Sequence, residues 1–156
     1  MGELQGRVAI ITGAGRGIGR EHALLFAAEG AKVVVNDLGG ANDGTGTDAT
    51  PAQEVVNEIK AMGGEAVANY DNVADWEGAQ RMINMAVETF GDLDILVNNA
   101  GILRDRVLVN MTEAEWDAVI QVHLKGHFAP SRWAAAYWRE QHKAGVTKPR
   151  NIVPVS

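Results

Sequence analysis

Five short apolar segments, separated by stretches of helix length, constrain the fold of this chain more than any other feature. They are residues 8–11, 32–35, 66–68, 93–97 and 152–155. Most are apolar throughout and do not alternate with polar residues, which is typical of parallel strands buried on both faces. Strands that alternate with helices form right-handed crossovers and an open sheet. The sequence therefore predicts an α/β fold, a doubly wound parallel sheet with strand order 3-2-1-4-5.

Helix start signals lie between the apolar segments. Thr50, with proline next and glutamine three positions on, predicts a capped helix start. Asp75 predicts a second start, and Thr112, with glutamate three positions on, predicts a capping box ahead of a long helix. The first helix begins inside a glycine-rich turn at about residue 17. Residues 39–50 are predicted to form a flexible loop.

Length, charge and composition limit the class of protein. A chain of 156 residues is long enough for one domain with a sizeable core. The net charge of -6 argues against electrostatic binding to nucleic acid or to an anionic membrane, and no apolar run approaches the ~18 residues that span a bilayer. Cysteine is absent and no secretory signal is recognisable, so we expect a cytoplasmic protein. The chain ends on a strand without a covering helix, so we expect it to be truncated.

A glycine-rich turn follows the first strand, where residues 12–19 read TGAGRGIG. A diphosphate needs backbone N–H donors close to it without a Cβ in the way, and a helix N-terminus supplies them. The turn lies between a predicted strand and a predicted helix, which is the context that dinucleotide binding requires. A glycine turn without a ligand is the alternative. The sequence thus predicts that residues 1–156 are a dinucleotide-binding domain of the Rossmann type.

Asp37 ends the second strand, 18 residues beyond Gly19. An acid at this place can accept hydrogen bonds from both ribose hydroxyls of adenosine. It also repels a 2′-phosphate ~4 Å away by on the order of 4 kcal/mol at an effective dielectric near 20. Arg16 is the opposing signal, because it could reach such a phosphate, whereas Leu38 offers no second cation. We therefore predict NAD as the cofactor in preference to NADP; a turn or cap role for Asp37 is the alternative.

Two motifs resemble those of the short-chain dehydrogenases/reductases. TGAGRGIG is similar to the family's TGxxxGxG, and residues 98–101 after the fourth strand read NNAG. The segments VVVNDLGG, AVANYDNV, NNAGILRDR and VHLKGHF further resemble the hydroxyacyl-CoA dehydrogenase domain of peroxisomal multifunctional enzymes of type 2, of which this chain would be the N-terminal part. The resemblance implies a homo-oligomeric oxidoreductase that moves a hydride between NAD and a small secondary alcohol or ketone, such as a 3-hydroxyacyl-CoA or a hydroxysteroid.

The resemblance also implies which residues contact NAD. They fall into a diphosphate loop, a ribose-binding acid, an adenine pocket and a segment beneath the nicotinamide ribose. In that order they are Gly13, Arg16, Gly17, Ile18 and Gly19; Asp37; Asp71, Asn72 and Val73; and Asn99, Ala100 and Gly101. Asn98 and Asn99 could equally tie neighbouring strand ends together.

The family's acid/base residues are expected beyond the end of this chain. The family uses a Tyr-x-x-x-Lys pair, but Tyr70 is followed four residues on by Ala74 and Tyr137 by Gln141. Ser156 lies where the family has one or two serines, and we interpret it as the residue before the catalytic one; a strand-end serine without chemistry is the alternative. We therefore expect the chain alone to be inactive. The competing hypothesis is a non-catalytic dinucleotide-binding module.

His123 lies where most of the family carries asparagine in the motif V-N-L-x-G, although histidine agrees with the multifunctional branch. Whether its side chain or only the local backbone takes part stays open. His127 lies four residues on, a spacing found in metal sites, but no third ligand is near in sequence and no HExxH is present. We predict no metal site.

Overall fold

A computed structural model of the chain describes residues 2–40, 46 and 48–156. Five parallel strands form one sheet in the order β3-β2-β1-β4-β5. The strands are β1 (Val8–Ile11), β2 (Lys32–Asn36), β3 (Glu65–Asn69), β4 (Ile95–Asn98) and β5 (Asn151–Pro154). The doubly wound sheet and its predicted strand order are thus confirmed.

Helices cover both faces of the sheet. They are α1 (Gly17–Ala28), α2 (Thr50–Ala61), α3 (Trp76–Phe90), α4 (Glu113–Ile120) and α5 (Gly126–Lys143). Apolar residues of α1 and α2 pack on one face, and those of α3 and α5 pack on the other. A π-helical turn, Gln121–Lys125, joins α4 to α5, so the long helix predicted after Thr112 exists with an interruption.

Strand β1 shows why the apolar segments are continuous. Ala9 and Ile11 pack with α1 and α2, whereas Val8 and Ile10 pack with the helices of the opposite face. All four side chains are at most 2% exposed. Burying one isoleucine side chain contributes about 1.5–3 kcal/mol, so the central strand anchors both layers.

The three helices with predicted caps begin where the sequence predicts, but only two of the three caps are confirmed and the third is wrong. Asp75 accepts a hydrogen bond from the backbone N–H of Gly78, and Thr112 forms the predicted capping box. Thr50 is the first helical residue and not the cap, because Asp48 two residues earlier already accepts its backbone N–H at 2.9 Å. In the predicted loop 39–50, residues 41–45 and 47 lie outside the described residues.

Strand β5 differs from the buried strands that its apolar residues predict. All four of its residues are exposed, including Ile152 and Val153 at 41% and 42%. The strand lies at the sheet edge and pairs with β4. None of the helices in the described part of the chain has the length and apolar character to cross a membrane.

Candidate functional site

A cleft of about 680 Å³ opens beyond the C-terminal ends of the central strands. In an open parallel sheet this is where ligands bind, at the point where the strand order reverses; here β1 is that point, with β2 on one side and β4 on the other. All the residues predicted to contact the cofactor line the cleft except Gly19. Sequence reasoning missed other lining residues, namely Asn36, Leu38, Gly40, Ile102, Arg104, Ala118, Gln121 and Val122.

The N-terminus of α1 faces this cleft without a side-chain cap. Arg16 occupies the N-cap position in extended conformation and makes no capping hydrogen bond. By contrast, Asp75 caps α3 and Thr112 caps α4. The first N–H groups of a helix carry partial positive charge and need an acceptor. The start of α1 can therefore supply those donors to an anion.

Glycine is required at two positions of the turn for different physical reasons. Gly17 has a φ of +56°, and a Cβ added there would meet no atom within 4 Å, so this residue borders open space. Gly19 is packed: a Cβ would lie 2.3 Å from the Gly13 carbonyl oxygen and 2.4 Å from the Asn99 Nδ2. Because Gly19 has no side chain, α1 can approach the turn closely. Gly19 is therefore packed against the turn and does not line the cleft.

The carboxylate of Asp37 is fixed by two backbone donors. Its Oδ2 accepts the Gly15 N–H at 2.8 Å, and its Oδ1 accepts the Gly39 N–H at 2.7 Å. A carboxylate accepts about four hydrogen bonds, so one position on each oxygen is left. Arg16 lies at the same end of the cleft, where its Nη1 donates to the Gly40 carbonyl at 3.2 Å.

Thr12 joins the turn to the loop after β4, and sequence reasoning did not include it among the site residues. Its buried Oγ1 accepts the N–H groups of Asn99 and Ala100, both at 2.9 Å. Asn99 in turn donates from Nδ2 to the carbonyls of Thr12 and Gly13, at 3.1 and 3.2 Å. Asn99 therefore ties strand ends together and also borders the cleft. The position of Thr12 as the first residue of the TGAGRGIG motif was the signal from which its role could have been predicted.

His123 contacts the backbone next to the cleft through its side chain. Its Nε2 lies 3.1 Å from the Ile102 nitrogen and 2.9 Å from the Ile102 oxygen. Burial, with the nearby charge of His123, lowers the pKa of His127. Among the residues that the structure describes, no group of three histidine, cysteine or acidic side chains is arranged to hold a metal ion.

Neither tyrosine lines the cleft. The Tyr137 hydroxyl donates to the Asp92 Oδ1 at 2.8 Å, and burial together with this bond raises the pKa of Tyr137 to about 12. Tyr70 is 42% exposed, with its hydroxyl 3.4 Å from the Gln53 Oε1. Ser156 is exposed and also lies outside the cleft wall. Within the described residues, no tyrosine is placed to transfer a proton in the cleft.

Comparison with known proteins identifies relatives of the chain. It is 56% identical over 137 residues to the peroxisomal multifunctional enzyme type 2 of Drosophila melanogaster, covering 88% of this chain and 22% of that protein. It is 49% identical over 145 residues to the hydroxyacyl-CoA dehydrogenase ChsB1 of Mycobacterium tuberculosis, covering 90% and 43%. A crystal structure of a short chain dehydrogenase from Mycobacterium avium matches with a TM-score of 0.92 and 60% identity, covering all of this chain and 55% of that one.

The relatives correct the expectation of a cytoplasmic protein, which is wrong. Relatives from Drosophila melanogaster, Dictyostelium discoideum, Neurospora crassa and Saccharomyces cerevisiae are named as peroxisomal enzymes, although others are bacterial. Absence of cysteine bears on disulfide formation, whereas delivery to peroxisomes depends on short addresses that a receptor reads. Composition therefore could not separate the two locations.

The chain spans between 15% and 43% of the length of the curated relatives named above. Residues 7–148 match the family described as short chain dehydrogenase. The strand order of the sheet and the TGAGRGIG and NNAG motifs agree with this family match. The chain therefore belongs to the short-chain dehydrogenase family.

Proposed function

We propose that this chain is the NAD-binding part of an oxidoreductase that transfers a hydride between a secondary alcohol or ketone and the nicotinamide. One observation carries the proposal: the uncapped start of α1 and the Asp37 carboxylate line the same cleft. A helix N-terminus suits a diphosphate, and a carboxylate with two free acceptor positions suits the two hydroxyls of a ribose.

The cleft residues fit NAD along its length. The N–H groups at Gly17 and Ile18 would hold the diphosphate, while Asp37 would hold the adenosine ribose. The segment that begins at Asp71 would form the adenine end, and the backbone at Asn99 would support the nicotinamide ribose. When bound, the nicotinamide supplies a hydride acceptor or donor at its C4 atom. The chain's own residues bind and orient the cofactor.

NAD is proposed in preference to NADP because Asp37 lines the cleft and its carboxylate would repel a 2′-phosphate on a ribose bound beside it. Arg16 is the only opposing feature that we identified from the sequence, and its guanidinium already donates to the Gly40 carbonyl. Asp37 therefore determines the proposed preference for NAD over NADP.

The substrate that we propose is a 3-hydroxyacyl thioester, with a hydroxysteroid as the alternative. Support comes from the relatives, one of which is named a hydroxyacyl-CoA dehydrogenase. The family's Tyr-x-x-x-Lys pair would supply the proton transfer, and neither tyrosine of this chain carries that lysine. A tyrosine after residue 156 is thus required for turnover.

A non-catalytic dinucleotide-binding module is the second candidate, and Tyr137 favours it for the chain as given. Its hydroxyl is committed to Asp92, and a pKa raised to about 12 makes it a poor base near neutral pH. Reading the coding sequence past Ser156 separates the candidates: a Tyr-x-x-x-Lys within about 15 residues supports the enzyme, and a stop codon supports the module.

Calorimetry with NAD tests the binding proposal, with two matched glycine variants. Gly17 and Gly145 both have positive φ, +56° and +89°, and open space where a Cβ would lie. Valine at either position should therefore lower stability by about 1–2 kcal/mol. Only Gly17→Val should also weaken NAD binding, because only Gly17 lines the cleft. Absence of NAD binding to the unmodified chain, or equal binding by both variants, contradicts the proposal.

We also propose that the protein is a homo-oligomer. Trp116, Ile120, Leu124 and Phe128 follow one another every four residues along α4, the π turn and α5, and each is 38–65% exposed. Such an apolar stripe is typical of a helix that packs against another surface. Light scattering that finds only a monomer at micromolar concentration would refute this.

A further inference from the structure

Two carboxylates and two cations meet where β5 begins, at the end of the parallel sheet away from the cleft. The Lys148 Nζ lies 2.7 Å from the Asp94 Oδ1 and 2.9 Å from the Asp92 Oδ2. The Arg150 Nη1 lies 2.7 Å from the Asp92 Oδ1 and 3.2 Å from the Asp94 Oδ1. The two acids precede β4 and the two cations precede β5. These four residues form an ionic clamp between the two strands.

Asp94 fixes the clamp to the central strand of the sheet. Its side chain is 0% exposed, and its Oδ2 accepts the N–H of Val8 in β1 at 2.9 Å. The Asp94 N–H donates to the Val8 carbonyl at 2.8 Å. A buried carboxylate with its hydrogen bonds satisfied holds a single geometry. The clamp therefore holds the start of β5 at a fixed point relative to β1.

The side chains of β5 determine its register against β4 only weakly. A shift of one residue moves every side chain to the other face, which burial normally opposes. Ile152 and Val153 point to opposite faces, yet they are 41% and 42% exposed. Val155 is partly buried on the α1 and α2 side of the sheet, but a two-residue shift toward the cleft would bring another valine, Val153, to its place.

The backbone of β5 adds a modest preference for the native register. Asn151 and Val155 donate their N–H groups to β4 and to the residue before it, at 3.0 and 2.9 Å. A one-residue shift would bring Pro154, which has no N–H, to a donor position, and the two-residue shift would bring Pro149 to one. Each shift thus loses one backbone hydrogen bond, which is worth only about fivefold in the ratio of the registers.

The clamp opposes the two-residue shift more strongly. The shift would move Arg150 by about 6.6 Å past the carboxylates and bring Lys148 to its place. One cation would then face two carboxylates, of which Asp94 is fully buried. A buried charge that loses its partner is costly, so Arg150 discriminates between the two registers.

We propose that Arg150 is a positioning residue whose contacts with the two clamp carboxylates set the register of β5 and thereby the position of Ser156. The consequence for catalysis rests on the proposed function, in which the catalytic serine is expected directly after Ser156. A two-residue shift would displace that serine by about 6.6 Å along the strand. The clamp would then position a catalytic residue from the opposite end of the sheet.

Disulfide formation can report the register, because the chain has no cysteine of its own. Val97→Cys with Val153→Cys joins Cα partners of the native register, whereas Val97→Cys with Asn151→Cys joins partners of the shifted one. Partners lie about 4.8 Å apart, which a disulfide spans, and residues two positions off lie about 8 Å apart, which it does not. The measurement is the ratio of shifted to native cross-link after mild oxidation.

The ratio should be below about 0.05 in the otherwise unmodified chain, because the backbone and the charged contacts act together. Arg150→Met should raise it roughly tenfold or more, the value of one hydrogen bond to a charged group. Asp92→Asn, in which Asp94 still holds the guanidinium, should raise it by about threefold. Arg150→Lys keeps a cation and should stay within about threefold of the unmodified ratio.

Lys148→Met and Arg139→Met are the controls. Lys148→Met removes a clamp cation, but the shifted register would then have no cation beside the carboxylates, so the ratio should not rise. Arg139 is exposed on α5, with its Nε 3.6 Å from the Glu140 Oε1, and its replacement should leave the ratio unchanged. A loss of stability alone lowers both cross-links together and does not change their ratio.

An unchanged ratio in Arg150→Met overturns the inference, and if circular dichroism shows that this variant does not fold, an unchanged ratio in Asp92→Asn does so. An equal rise in Lys148→Met also overturns it, because the effect would not be specific to Arg150. The cross-link involves no NAD. Absence of NAD binding in calorimetry would therefore refute the proposed function and leave the register result as it stands.

Discussion

Replacing Asp37 by asparagine should convert the preference of the cleft for NAD into tolerance of NADP. The substitution keeps the size of the side chain and removes its charge. Each Asp37 oxygen accepts one backbone N–H, from Gly15 and from Gly39, so one acceptor position on each oxygen is left for the proposed ribose. A 2′-phosphate in NADP would therefore stand close to the carboxylate.

The magnitude follows from the charges. At ~4 Å and an effective dielectric near 20, the repulsion is about 4 kcal/mol, which is about a thousandfold in affinity. Asp37 is only partly buried, and an effective dielectric of about 40 would reduce the repulsion to about 2 kcal/mol, or about thirtyfold. The ratio of NADP to NAD affinity should therefore rise by between roughly thirtyfold and a thousandfold in Asp37→Asn.

NAD itself should bind more weakly to this variant. Asparagine has one acceptor oxygen where aspartate has two, so a hydrogen bond to the ribose is lost. Such a bond to a charged group is worth about 1.5 kcal/mol or more, which is roughly tenfold in affinity. One loop contact is also lost, so the melting temperature should fall by about 2–4 °C.

The assay is calorimetry of each variant with NAD and with NADP at one ionic strength. Asp117→Asn is the control, because Asp117 is an exposed acid on α4 outside the cleft wall and its replacement changes the net charge equally. Asp117→Asn should leave the NADP-to-NAD ratio unchanged. If Asp37→Asn shifts that ratio by less than threefold, the assignment of Asp37 to the ribose is refuted.

Two further predictions concern stability. Thr12→Val leaves the N–H groups of Asn99 and Ala100 without their acceptor, so the free energy of unfolding in urea should fall by about 2–4 kcal/mol. Thr12→Ser keeps the hydroxyl and should lower it by less than about 1 kcal/mol. Equal losses in the two variants would show that the hydroxyl is unimportant. Burial alone would raise the pKa of Asp92, but hydrogen bonds, of which that from Arg150 is the strongest, hold this pKa below its usual value of 3.8. The ionised Asp92 therefore stabilises the folded chain above about pH 4, and this contribution is lost as the pH falls. The melting temperature of the unmodified chain should therefore drop more between pH 6 and pH 3 than that of Asp92→Asn, and equal drops would contradict this linkage.

The sheet and the glycine turn could be predicted from sequence because their signals are local. Continuous apolar segments report burial on both faces, and a strand followed by TGAGRGIG reports a turn that must approach a helix N-terminus closely. Asp37 was recognisable for the same reason, since its distance from the glycines is set by one helix and one strand. Its role, like those of the other cleft residues, stays a prediction.

The features that were missed depend on contacts between distant parts of the chain. Arg81 is one polar residue among several on α3, and only the fold shows that it reaches Asp71. Thr50 has the local sequence of a cap, but Asp48 satisfies its N–H first. The π turn at Gln121–Lys125 has no periodic signal of its own. Strand β5 is apolar in sequence yet exposed, because exposure depends on what packs over a strand.

A crystal structure of this chain grown with saturating NAD tests the central claim most directly. The account predicts the diphosphate within about 3 Å of the backbone nitrogens at Gly17 and Ile18, with both adenosine ribose hydroxyls donating to Asp37. Density for the dinucleotide elsewhere on the sheet, or a cleft without it at saturation, would contradict the account.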